Sequence, residues 1–150
     1  MLFALLAAVS VANFSFLQRM VVRAELENLY VTCSVLQRSA MMLGKQETLY
    51  CDRNSNSYRY KNSMHILPAS VCFGTAPGVK GPPSSPDFVI SNPVTFKDSA
   101  IIFYPDGVIQ AGAIYLTDNR KRCTYALSCA VSKVSYLRKY QYTNRWDLIG

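Results

Sequence analysis

Histidine occurs once, at His65, and acidic residues nine times in 150 positions, so the sequence is poor in the groups that carry acid–base chemistry. The nine are Glu25, Glu27, Glu47, Asp52, Asp87, Asp98, Asp106, Asp118 and Asp147, and they form no spaced pair. Asp106 and Asp118 fall in turn-forming stretches, where aspartate bonds its own backbone. His65 stands near Pro68 in a turn-prone segment, where a lone histidine reads as a surface residue. The five cysteines, Cys33, Cys51, Cys72, Cys123 and Cys129, include no Cys-x-x-Cys, which with a single histidine speaks against a zinc site. Glycine-rich phosphate loops and calcium loops are absent as well. The chain is therefore expected not to be an enzyme, to carry no cofactor or metal, and to take no small-molecule substrate.

Charge is missing altogether from residues 2–17, where Ser10, Asn13 and Ser15 are the only polar interruptions. As a helix this stretch spans about 24 Å, somewhat less than the roughly 30 Å of a bilayer's hydrocarbon. Three readings compete: a membrane anchor, a secretory signal cut near Ser10-Val11-Ala12, and a buried core helix. The signal lacks a basic region ahead of it. A core helix would need cover on all sides, which a domain of this size rarely provides.

Residues 18–44 decide among the three. Val22, Leu26, Leu29, Cys33, Leu36, Ala40 and Leu43 recur in steps of three and four, one stripe of a helix, while Arg19, Arg23, Glu25, Glu27, Gln37 and Arg38 lie largely off it. Gly44 followed by Lys45 supplies a left-handed stop. No proline, glycine or turn cluster separates the two halves, so one helix of about 40 residues is expected, apolar all round and then amphipathic. Residues 1–17 read as the anchor and 18–150 as a single domain, with helix over 18–43 and sheet and loops over 45–150.

Beyond Gly44, residues 47–51 and 58–60 flank a turn-rich segment and predict a hairpin. Residues 75–86 are dense in Gly, Pro and Ser and predict a surface loop. Extended runs over 100–104, 108–117, 122–131 and 134–142 predict a meander. Alternation sets Cys123, Tyr125, Leu127, Cys129 and Val131 on one face and Thr124, Ala126, Ser128 and Ala130 on the other, so one face is expected to be buried. The stripe of Val22, Leu26, Leu29, Cys33, Leu36 and Ala40 is the amphipathic partner available to cover it, giving an α+β fold. Cys123 and Cys129, roughly 20 Å apart on one strand, cannot bridge each other. By elimination Cys51 with Cys72 is the disulfide candidate, although connectivity cannot be read from sequence alone.

The net charge of +7 is concentrated late: residues 120–150 hold Arg120, Lys121, Arg122, Lys133, Arg138, Lys139 and Arg145 against Asp147 alone. A basic surface of this kind meets an acidic partner, lipid headgroups or nucleic acid, or serves solubility only. With Tyr136, Tyr140, Tyr142 and Trp146 interleaved, the seven cations make the mixture that nucleic-acid strands exploit. The plainer alternative is that the tyrosines pack on the sheet while the cations solvate its edge.

An apolar half-helix running into an amphipathic half-helix ahead of an antiparallel sheet resembles the pilins and pseudopilins of type IV pili and type II secretion. The runs Ile101-Ile-Phe-Tyr-Pro-Asp-Gly107, Ala113-Ile-Tyr-Leu116 and Tyr125-Ala-Leu to Ser132-Lys133 are similar to the minor-pilin branch called GspH or FimT. The resemblance implies a single-pass subunit of the bacterial inner membrane, with its sheet domain in the periplasm or outside the cell. Such a subunit initiates or caps a fibre with other pilin or pseudopilin subunits. It implies that Leu2, Phe3, Leu5, Leu6, Val9, Val11, Phe14 and Phe16 pass from lipid to neighbouring subunits during assembly. The family's leader, cleavage-site glycine and the glutamate after it are absent, so about five to ten residues are expected ahead of Met1; five would bring the apolar span to about 30 Å. A DNA-uptake role is the alternative, carried in FimT by a Gly-Arg-x-Arg motif. Here that stretch reads Ser132-Lys133-Val134-Ser135, with one basic residue in altered form.

Overall fold

A computed structural model describes residues 2–131 and 135–150, and within the helix it leaves out the side chains of Leu2, Val11 and Ala12. With no proline or glycine before position 44, the chain opens as one α-helix, α1, over Leu2–Leu43. Gly44 ends it at φ +62°, and the Lys45 amide returns to the Ala40 carbonyl at 3.2 Å, the bond that closes a left-handed cap. Among the described residues nine strands come after it: β1 (Glu47–Asp52), β2 (Ser57–Tyr60), β3 (Ser63–Ile66), β4 (Val71–Phe73), β5 (Ala100–Phe103), β6 (Gly112–Asp118), β7 (Thr124–Cys129), β8 (Arg138–Tyr142) and β9 (Trp146–Ile149). The architecture is α+β, a long N-terminal helix packed against antiparallel sheets.

The strands make two sheets where the sequence predicts one meander, in the orders β3-β2-β1-β5 and β4-β6-β7-β8-β9. The expected hairpin is β1 with β2, in register from Leu49 opposite Tyr60 to Asp52 opposite Ser57. Strand β5 leaves the later strands and joins the other edge of β1, with Ile101 opposite Leu49. The cause lies in the segment after Tyr104, where Asp106 Oδ1 accepts the Val108 amide at 3.1 Å and Gly107 adopts φ +88°. This turns the chain, and β6 begins only at Gly112.

α1 lies along both sheets, touching β1 and β5 in the first and β4, β6 and β7 in the second. Its stripe of Val22, Leu26, Leu29, Cys33, Leu36 and Ala40 is buried, no member above 1% exposed. Leu49, Tyr58, Ile101 and Phe103 meet it from one sheet, and Val71, Ile114, Leu116 and Leu127 from the other, in one core. Leu43, expected at the stripe's end, is exposed with Met41, Met42 and Gly44, because the last helical turn runs past the covered region.

The second sheet is buried on both faces, not one. Ala113, Tyr115 and Ala126 point away from α1 and pack with Ile90, Tyr140 and Trp146. Cover comes from the Gly- and Pro-rich loop, which is pinned back: Trp146 Nε1 donates to the Lys80 carbonyl at 2.7 Å, and the Ala76 amide donates to Thr124 Oγ1 at 2.8 Å. Val131, expected on the buried face, lies beyond the end of β7 and is exposed.

Leu29→Ala should lower stability by about 2–5 kcal/mol through lost burial and a cavity, whereas Val35→Ala, on the open face of the same helix, should change it by less than about 0.5 kcal/mol. Chemical denaturation of the full chain in mild detergent separates the two; equal effects would contradict the observed facing of α1.

Candidate functional site

Ahead of Gln18 the described apolar side chains of α1 face outward. Phe3 is 89% exposed and Phe16 62%, and Leu5, Leu6, Val9, Phe14 and Leu17 are exposed with them. Leu2 and Val11, expected on the same surface, have side chains outside the described residues. Ser10 does not break the greasy surface, because its hydroxyl donates back to the Leu6 and Ala7 carbonyls at 3.0 and 2.9 Å. The helix is long and apolar enough to cross a membrane. Among the described residues Gln18 and Val22 are the first buried positions, so the domain core takes hold of α1 from there on.

Polar residues flanking the stripe do more than face water. Glu25 Oε2 lies 2.7 Å from His65 Nε2 on β3, and the imidazole packs on the Tyr58 ring with centroids 5.0 Å apart. His65, read from sequence as a surface residue, has a side chain 37% exposed and is at the same time a strap between helix and first sheet. Among the described residues its ring makes no other hydrogen bond. Glu27 accepts two Lys139 Nζ bonds, at 2.8 and 2.9 Å, the Gly150 carbonyl accepts a third at 3.3 Å, and the same ammonium sits 4.5 Å from the centre of the Tyr30 ring. Gln37 Nε2 donates to the Gly107 and Ser135 carbonyls at 2.9 and 3.0 Å.

These contacts correct the basic surface expected from composition. Lys139 is buried and occupied, since its position on β8 turns it toward α1. Arg145 is exposed but paired with Asp147 at 3.1 Å. Arg138 lies over Tyr136, 4.7 Å from the ring centre, and lines a cleft of 330 Å³ with Tyr136, Tyr140, Ser128 and Pro83. Arg120, Lys121 and Arg122 stand exposed in the β6–β7 turn at the other end of the sheet, because Thr124 faces Tyr142 while Ser128 faces Arg138. Four residues of strand separate the two ends, about 13 Å. Lys133 lies outside the described residues. Of the remaining six, Arg120, Lys121 and Arg122 stand together in one turn, Arg138 is at the other end of the sheet, and Lys139 and Arg145 are paired with carboxylates.

The β6–β7 turn is rigid by construction. Asp118 is 1% exposed, and its Oδ1 accepts the Arg122 amide at 2.6 Å and the Cys123 amide at 3.2 Å. Lys121 takes φ +54°, a left-handed geometry that the turn imposes. Above the turn, the Arg120 guanidinium lies 5.4 Å from the centre of the Phe14 ring.

All five cysteines are free thiols. Cys51 and Cys72 line one cleft with Asp52 and Phe73 but are unbonded: Cys51 faces the core, whereas Cys72 points to the side of β4 opposite Val71 and Phe73. Burial pushes the Cys51 thiol up to about 12, so it stays neutral and is a poor nucleophile. Among the described residues no group of three or more His, Cys, Asp and Glu could hold a metal ion.

Glu27→Ala should destabilise the protein by about 1–3 kcal/mol, since it leaves a buried ammonium without its carboxylate, facing only the Gly150 carbonyl and the Tyr30 ring. Asp147→Ala, which breaks an exposed pair, should stay within about 0.5 kcal/mol. Denaturant midpoints in detergent decide this, and a neutral Glu27→Ala would show Lys139 to be solvated. No protein-family model matches the chain, and neither a curated protein nor a solved structure matches it significantly.

Proposed function

We propose that the chain is a non-catalytic, pilin-like subunit, a minor pilin or pseudopilin, held in the bacterial inner membrane by the first half of α1. In this reading it joins a fibre or pseudopilus through that same half-helix, to initiate or cap it. The observation that carries the proposal is one uninterrupted helix whose second half is the core of the domain and whose first half is apolar and uncovered. An exposed apolar surface of this extent is otherwise a liability in water. Lipid tails and the helices of sister subunits are equivalent partners for it, so a subunit could move from one to the other without wetting Phe3, Leu5, Leu6, Val9, Phe14 or Phe16. Secretion and pilus machines make the same demand on such a helix.

The full chain should sediment with membranes, resist high salt and alkaline carbonate, and come out only with detergent. Recovery of the folded full chain in detergent-free supernatant would overturn the proposal.

A second reading, binding of DNA by a minor pilin, is favoured by the Arg138 cleft, where a guanidinium and two tyrosine rings offer a phosphate contact and stacking faces together. Of the cations expected to serve it, Lys139 is committed to Glu27 and Arg145 to Asp147. Titration of the detergent-solubilised chain with short duplexes at two salt concentrations tests it. Binding that weakens steeply with salt and falls in Arg138→Ala supports the second reading, and no binding at low salt removes it.

A further inference from the structure

Five cations cluster beside α1 where it leaves the domain. Arg19 and Arg23 project from the helix itself, one turn apart and both exposed, immediately after the uncovered apolar stretch. The β6–β7 turn delivers Arg120, Lys121 and Arg122 to the same level. Arg120 lies over Phe14, and the charge of Arg19 acts on Cys123, the residue directly after Arg122. Because Asp118 bonds into the turn through the Arg122 and Cys123 amides, these cations are presented by a fixed loop.

Neighbouring acids do not neutralise them. Asp118 is buried beneath the turn, Glu25 is bonded to His65, and Glu27 to Lys139. Among the described residues none of the five cations pairs with a carboxylate. A patch of unpaired positive charge at the end of a greasy rod is the arrangement that an anionic membrane surface rewards. The apolar segment enters hydrocarbon, the long cationic side chains lie at headgroup level, and each of them strengthens attachment about five-fold. The Arg120–Phe14 contact marks the boundary, a guanidinium resting on an aromatic ring where apolar surface gives way to polar.

We propose that Arg19, Arg23, Arg120, Lys121 and Arg122 form a collar that binds anionic phospholipid headgroups at the leaflet from which α1 emerges. This rests on the membrane-anchored reading above and adds the class of lipid it selects. A duplex would have to lie against the same exposed helix and bury no apolar surface by doing so, which favours lipid over nucleic acid.

The test uses the full chain reconstituted into vesicles of phosphatidylcholine containing a minor share of phosphatidylglycerol. The chain is re-extracted in mild detergent, and the lipids retained are counted by native mass spectrometry. Phosphatidylglycerol should be enriched over its bulk share by about five-fold or more, and the enrichment should vanish when reconstitution and extraction are done in high salt. The triple variant Arg120→Gln, Lys121→Gln, Arg122→Gln should lose it. Arg38→Gln, Lys45→Gln, Lys97→Gln, the same charge change at exposed sites outside the collar, should keep it. Far-UV circular dichroism verifies that both variants fold, and the high-salt arm needs no variant at all. Retention at bulk share, enrichment that survives high salt, or equal loss in both variants would overturn the collar while leaving the anchor intact. Duplex DNA binding lost only in the first variant, with no lipid preference, would replace it with a nucleic-acid site. Failure of the chain to enter either lipid would instead contradict the anchored reading itself.

Discussion

The two sheets share no strand; Asn56 Nδ2, between β1 and β2, donates to the Val71 carbonyl of β4 at 2.7 Å, and the buried stripe of α1 joins the rest. Each of Val22, Leu26, Leu29 and Leu36 removes an apolar side chain from water, worth about 1.5–3 kcal/mol apiece, and together they do so against residues of both halves of the domain. Without the helix, the inward faces of β1, β5, β6 and β7 would be wet. The stripe is therefore a constraint on the rest of the chain: α1 must stay straight from residue 22 to residue 40, and the two sheets must be placed to receive it. Three polar straps, Glu25 to His65, Glu27 to Lys139 and Gln37 to two carbonyls, fix the rotation of the helix about its axis. Their positions alongside the stripe leave a third face of the helix open.

That constraint reaches the uncovered half. A helix without proline or glycine continues its direction, so the hold on residues 22–40 aims residues 3–17 away from the domain as a rod of about 22 Å. Aim and exposure together are what the proposed anchor, or a helix packed in a fibre, would use. The β6–β7 turn then stands at the base of the rod, with Arg120 on Phe14. The five cations of the collar are thus placed by the same packing that buries the core, and Arg138 is kept at the far end of β8.

Period was the part of the structure most readable in the sequence. The 3.6-residue spacing of Val22, Leu26, Leu29, Cys33, Leu36 and Ala40 specified a buried face, and Gly44 specified the stop, because helix geometry and capping are local. Strands β3, β4 and β9 escaped because runs of three or four residues carry almost no period to detect, whereas the equally short β2 and β5 were marked by the turn-forming stretches beside them. Alternation in β7 located its two faces correctly, yet polarity could not show that Ala126 and Thr124 would be covered. The cover is a Gly- and Pro-rich loop whose bonds to Trp146 and Thr124 join residues far apart in sequence. The partners of Lys139 and His65 escaped for the same reason. Lys139 was read as a cation on its own strand and His65 as a surface residue in a turn-prone stretch, and each is bound to a glutamate on α1, at separations of 112 and 40 residues. Partners that far apart leave no local trace.

The central claim is that one continuous helix serves as domain core and membrane-facing rod. Hydrogen exchange along α1, monitored by mass spectrometry on the full chain in lipid nanodiscs, tests it most directly. Slow exchange without interruption from the exposed apolar half through Ala40 is the result this account predicts. A band of rapid exchange between Phe14 and Val22, marking a hinge or a separate folded unit, would contradict it.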